Sequence, residues 1–168
     1  MGPKLLKGIA AKFQDARGFL LNVPLQDIFD QVGQPEFRVR HQLITQSDKI
    51  GTFRGFHYQE PPFEQAKLVL LEQGEILDLV LPIEAPDMSQ AQHFEMAAGD
   101  LLYVPKTFAH GFVTRSDTVR LHYIMDQVFS APHYAGRNGV AYAQTLTDRS
   151  LIVSEKDAEL PPFGARES

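Results

Sequence analysis

Apolar residues come in short runs cut by Gly, Pro and Asp: "FLLNV", "FRVRHQLIT", "AKLVLLEQGEILDLVLPI", "DLLYVP", "GFVTR" and "VRLHYIM". Runs of this length closed by turn formers predict strands, and their number and spacing predict an antiparallel barrel or sandwich. "KLVLLEQGEILDLVL" reads as a hairpin turning at Gln73–Gly74. Its continuous apolar runs need cover on both faces, supplied by an internal core or by another subunit. Helical patterning is scarce. "PLQDIFDQV" allows a turn or two, and "SEKDAELPPFGARES" a short helix with loop after Pro161. The fold class is all-β.

Strand period assigns side chains to faces. In "VRLHYIM" it groups Val119, Leu121 and Tyr123 against Arg120, His122 and Ile124, so Tyr123 points into the barrel and its hydroxyl needs a partner. In "FRGFHYQ" it groups Phe53, Gly55, His57 and Gln59 against Arg54, Phe56 and Tyr58.

No repeat, low-complexity tract or linker divides the 168 residues, so one domain is expected over 1–168. With no cysteine, disulfides and thiolate chemistry are excluded. Lys and Arg total 16 against 21 Asp and Glu, which argues against a nucleic-acid partner, since such binding rests on phosphate neutralisation. No apolar run reaches the roughly 18 residues of a membrane span, and "MGPKLLKGIAAKF" lacks the apolar core of a signal peptide. The expectation is a soluble, cytoplasmic protein without membrane partners.

Two segments carry the candidate chemistry. Six residues separate Gly51 from His57; six separate Gly99 from Pro105, and five more lead to His110 in "GDLLYVPKTFAHGF". This spacing resembles the two cupin motifs, which in metal cupins supply histidines and a carboxylate. Here Gln59 stands two residues after His57, where a metal cupin has its second histidine. His57 and His110, with Glu64 as an uncertain third, fall short of a first-row metal shell, so no metal and no cofactor is expected. A histidine on a strand is ordinarily structural; two in a barrel without a metal shell point to acid–base work. His41, His93, His122 and His133 join no constellation and read as structural or exposed.

"RGFHYQ", "QAKLV", "FAHGF", Tyr123 thirteen residues after His110, and "SEKD" resemble, in that order, the dTDP-4-dehydrorhamnose 3,5-epimerase family over roughly residues 13 to 160. The resemblance implies a cupin (jelly-roll) barrel with few short helices and no metal. It also implies a homodimer that exchanges N-terminal β-structure. The implied activity is inversion of C3, C5 or both in a nucleotide-diphosphate 4-keto-6-deoxyhexose. Such chemistry needs a base on one face, an acid on the other and a donor at the oxygen that becomes an enolate. By resemblance His57 is the base, Asp157 its orienting carboxylate, Tyr123 the acid and Lys67 the enolate donor. Arg17, Arg54, His110 and Lys156 would contact sugar or diphosphate, Gln42 the base, and Phe129 would stack on it in place of a tyrosine.

Departures cluster where the family reads the nucleotide. Leu20 and Asn22 replace an aromatic and a glutamate, Ile44 replaces an asparagine, and the tryptophan-containing segment has no counterpart. Changed base selectivity is the expectation, since a lost polar contact is costly. Three alternatives stay open: a sugar-nucleotide ketoisomerase on a similar barrel, a non-catalytic sugar-nucleotide-binding cupin, and a metal cupin.

Overall fold

The computed structural model describes residues 1–162; of the expected loop after Pro161, residues 163–168 lie outside the described part. Strands β1 (Lys4–Leu6), β2 (Ala11–Asp15) and β3 (Gly18–Asn22) precede helix α1 (Leu25–Val32). Next come β4 (His41–Ser47), β5 (Phe53–Gln59), β6 (Lys67–Gln73), β7 (Glu75–Pro82), β8 (Gln92–Ala97), β9 (Leu101–Val104), β10 (Phe108–Thr114) and β11 (Val119–Met125). The chain closes with β12 (Tyr134–Gly136), α2 (Val140–Thr145) and α3 (Glu155–Ala158). One five-stranded sheet runs β1-β9-β6-β11-β4, a second runs β12-β5-β10-β7-β8, and β2–β3 form a separate hairpin. Every ladder between these strands is antiparallel, which makes the two large sheets a jelly-roll sandwich. No helix among the described residues is long and apolar enough to cross a membrane.

Alternation builds the core as period 2 requires. Val69 and Leu71 of β6 meet Ile76 and Val80 of β7, Phe112 of β10 and Leu121 of β11 between the sheets. The outer face of β6 (Leu68, Leu70) lies under Ile28, Phe29 and Val32 of α1. The outer face of β7 (Leu77, Leu79, Leu81) packs with Phe53, Phe56 and Ala143 of α2. The double cover expected for "KLVLLEQGEILDLVL" therefore comes from within this chain, the facing sheet on the inner side and α1, α2 and β5 side chains on the outer. The expected hairpin at Gln73–Gly74 is not formed: β6 and β7 lie in different sheets, and Gly74 is a corner between them. It sits at φ +87°, and a Cβ there would stand 2.7 Å from Ser116 Oγ.

The face assignment for "FRGFHYQ" also changes. His57 pairs with His110 and Arg54 with Phe112, so Gly55 and Phe56 together oppose Gly111. This β-bulge adds one residue to β5 and breaks its alternation. Phe53, Phe56 and Tyr58 consequently join the outer core, while Arg54, His57 and Gln59 line the interior. Gly55 has φ +131°, and a Cβ on it would lie 2.5 Å from Gly111 Cα. Gly55→Ala should therefore destabilise the fold by more than about 2 kcal/mol in urea unfolding; an unchanged midpoint would mean the bulge tolerates a side chain.

Candidate active site

A cavity of about 390 Å³ opens between the two sheets. The second sheet contributes Arg54, His57 and Gln59 from β5 and His110 and Phe112 from β10. The first contributes Lys67 of β6, Tyr123 and Met125 of β11, and His41, Leu43 and Thr45 of β4, with Phe129 and Tyr134 at the rim.

His57, 27% exposed, donates from Nε2 to Asp157 Oδ1 at 2.8 Å. The local sequence explains how Asp157 gets there. Ser154 caps α3 by accepting the Asp157 backbone N–H, as in a capping box. The Asp157 carboxylate is turned away from the helix and also accepts the Gly55 N–H at 3.2 Å. Burial pushes Asp157 upward, but the His57 hydrogen bond and charge, the Gly55 amide and Arg54 outweigh it and hold it below the usual carboxylate range. An ionised Asp157 places the imidazole proton on Nε2 and leaves Nδ1 as the basic nitrogen.

Behind the cavity wall lies a second carboxylate. Asp78, fully buried on β7, accepts from His110 Nε2 at 3.0 Å to each oxygen. Burial raises its pKa against the pull of His110 and Lys67. Lys67 donates to the His57 carbonyl at 3.2 Å, and burial brings its ammonium down to about 8 against the attraction of Asp78. Tyr123 faces His57 from the opposing sheet, with Thr45 as hydrogen-bond partner and its ring edge-on to His110 at 5.7 Å. Burial and then Asp78 raise its pKa, against Arg54 and Thr45, so it is a neutral phenol.

Of the sequence-selected residues, His57, Lys67, Tyr123, Arg54, His110 and Phe129 line one cavity, with Asp157 bonded to His57. Lys156 lies at the rim, its ammonium 4.1 Å over the Tyr134 ring. Two do not enter this chain's cavity. Arg17, with a side chain 90% exposed, is paired to Asp15 near the β2–β3 turn. Gln42 faces outward, because alternation along β4 turns His41, Leu43 and Thr45 inward instead. Glu64 is likewise absent from the lining.

Sequence reasoning missed four residues. His41 lines the cavity and its Nδ1 accepts the Phe129 N–H at 3.3 Å, so it is not merely structural. Gln59 is a loop anchor: it donates to the Phe63 and Val128 carbonyls and accepts from Ser130 N, which holds the segment bearing Phe129. Tyr134 gave no signal in its loop-like context. Asp78 did: an acid inside "ILDLVL" demands a buried partner. His122 keeps its structural reading, donating to Glu72 at 2.6 Å on the outer face. Among the described residues, no three His, Cys, Asp or Glu side chains form a group that could hold a metal ion.

A jelly-roll cavity with a carboxylate-bonded imidazole on one sheet and a phenol on the other defines a cupin-type enzyme. The sequence profile of the dTDP-4-dehydrorhamnose 3,5-epimerases matches residues 4–165, and the chain belongs to that family of carbohydrate isomerases. Similarity extends to the dTDP-4-dehydrorhamnose 3,5-epimerase of Sinorhizobium fredii, at 31% identity over 89% of this chain and 80% of that one. The Salmonella typhimurium enzyme is 31% identical over 93% of this chain and 83% of its own length. Among solved structures, the Bacillus anthracis epimerase with TDP and PPi bound superimposes with TM-score 0.79 at 30% identity, covering 95% of this chain and 93% of that chain.

Lys67 gives a stability test. Its folded pKa near 8 lies below that of an exposed lysine, so the unfolded chain holds the proton more tightly and stability rises with pH between about 8 and 10.5. Lys67→Met removes that dependence. The variant should be more stable than the parent at pH 7, by on the order of 2 kcal/mol, with the gap closing as pH rises to 10 in urea titrations. A gap independent of pH would contradict the buried ammonium.

Proposed function

We propose that the chain inverts C3, C5 or both in a nucleotide-diphosphate 4-keto-6-deoxyhexose. The observation that carries this reading is the pair of proton-handling groups on facing sheets, His57 with Asp157 and Tyr123, in one cavity. His57 Nδ1 takes the proton from the carbon beside the ketone, and Asp157 steadies the imidazolium. Electrons move into the C4 carbonyl, and the enolate oxygen finds the Lys67 ammonium, whose burial strengthens the attraction. Tyr123 then delivers a proton to the opposite face of the carbon. Its raised pKa keeps the phenol protonated until the enolate carbon takes the proton.

Arg54, exposed at the mouth with Nε on Ser47 Oγ at 3.2 Å, suits a diphosphate oxygen, and Phe129 offers an exposed ring for a base. Lys156 adds charge at the same rim. His110 is assigned to the sugar through its place beside Tyr123, with Asp78 holding its other edge.

The working unit in this reading is a homodimer. β4 is the last strand of its sheet, and Leu43 and Ile44 on it are exposed. The β2–β3 hairpin stands apart with Phe13, Phe19 and Leu20 exposed. Adding the hairpin of a second copy to the β4 edge would cover both and carry Arg17 toward the partner's cavity. Gln42, Leu20, Asn22 and Ile44 would then act, if on the nucleotide, across that interface.

The test is incubation in D₂O with 4-keto-6-deoxyhexoses linked to dTDP, GDP and CDP, followed at C3 and C5 by NMR. Deuterium should enter at one or both carbons; a ketone moved to another carbon would favour the ketoisomerase, and no reaction a binding protein. His57→Ala should abolish exchange by at least about 100-fold. Tyr123→Phe should keep exchange at the His57 face while losing inversion. The His57→Ala protein exchanging at the parent rate would remove the base assignment.

A further inference from the structure

Tyr134 belongs to none of the motifs and has no part in the steps above. It opens β12, which pairs with β5 so that Gly136 faces His57 and Tyr134 faces Gln59. Tyr134 is thus the diagonal neighbour of His57, a separation an aromatic side chain can span. The two ring centroids are 5.5 Å apart with planes inclined at 41°. Over the same tyrosine ring, 4.1 Å from its centroid, sits the ammonium of Lys156. Lys156 is the residue immediately before Asp157 in α3. The helix therefore holds the β5–β12 ribbon at two places: Asp157 at the Nε2 edge of His57, and Lys156 on the tyrosine beside the imidazole.

We propose that Tyr134 is a positioning residue for the His57 base: its ring fixes the plane of the imidazole and keeps the Lys156 ammonium away from Asp157. The inference rests on the assignment of His57 as the base. A single hydrogen bond at Nε2 fixes one edge of an imidazole but leaves its plane free to swing about that bond. A second ring in contact removes this freedom and aims the Nδ1 lone pair in one direction, which proton abstraction requires. The second effect is electrostatic. The charged and titratable groups around Asp157 are His57, Arg54, Tyr134 and Lys156. Lys156 and Asp157 both neighbour Tyr134, so an ammonium with no aromatic face to occupy would swing toward the carboxylate and compete with the imidazolium for it. Burial and Asp157 push the Tyr134 phenol up to about 12, so it acts as a neutral ring throughout the working range.

The experiment measures deuterium uptake from D₂O into the dTDP-linked 4-keto-6-deoxyhexose across roughly pH 5 to 9. It compares the full chain with Tyr134→Ala, Tyr134→Leu, Tyr134→Phe and the Tyr134→Ala, Lys156→Met double variant. Tyr134→Ala and Tyr134→Leu should each lower kcat about 10- to 100-fold with KM within about threefold of the parent. The acid limb of kcat should move to lower pH, and Lys156→Met in the Tyr134→Ala background should return it. Tyr134→Phe should rescue most of the lost kcat, since the ring is what acts. Parent-like kcat and acid limb in Tyr134→Ala would overturn the proposal. So would a Tyr134→Phe protein as impaired as Tyr134→Ala, which would put the phenol hydroxyl on the substrate. Should Tyr134→Ala fail to fold by circular dichroism, the Leu and Phe variants carry the same comparison. A parent protein that exchanges no α-proton, or a His57→Ala variant that exchanges like the parent, would instead remove the base assignment. An active parent, an inactive His57→Ala and a normal Tyr134→Ala would sink the positioning role alone.

Discussion

Two glycines from distant strands touch backbone to backbone, and the site follows from that contact. Gly55 and Gly111 approach so closely that a Cβ on the first would stand 2.5 Å from the Cα of the second, and a Cβ on the second 2.7 Å from the Arg54 carbonyl. The approach lets β5 carry an extra residue against β10, so Arg54 and His57, three positions apart, turn into the same cavity. The bulge also frees the Gly55 N–H, which Asp157 takes. One backbone irregularity thus places His57 and Arg54 on the same wall and provides the second anchor for the Asp157 carboxylate. The glycines of "RGFH" and "AHGF" are halves of one device.

Much of this was legible in the sequence. Short apolar runs pointed to an antiparallel barrel or sandwich, the family resemblance to a jelly roll, and strict alternation in "VRLHYIM" put Tyr123 inside and His122 outside, where Glu72 holds it. What failed did so for identifiable reasons. A period of 2 cannot see a bulge, so Arg54 was placed opposite His57. A glycine between apolar runs reads equally as a hairpin or a corner, and Gly74 is the corner. His41 and Tyr134 reach the cavity only through the pairing of β4 with β11 and of β12 with β5, which no local pattern encodes. Arg17 was legible as a residue type but not as a position, since it lies on a hairpin that pairs with neither sheet.

The cavity floor is an electrostatic compromise. Lys67, Asp78 and His110 are buried at its base, where His110 bonds to Asp78 and Asp78 attracts the Lys67 ammonium. Replacing such a cluster by a hydrophobic set of the same volume is often neutral or stabilising, so these polar groups are a poor source of barrel stability. The outer face repeats the theme less severely, where Glu72 is shared between Arg120 and His122 nearer to solvent.

The hydrogen bond from His57 to Asp157 spans 100 residues of sequence. During synthesis every strand of both sheets leaves the ribosome before α3 does, because β12 ends at Gly136 and α3 begins at Glu155. The sheets can therefore assemble around an imidazole that still lacks its orienting carboxylate. In the proposed reading, completing the base would then wait on the docking of a four-residue helix against the barrel.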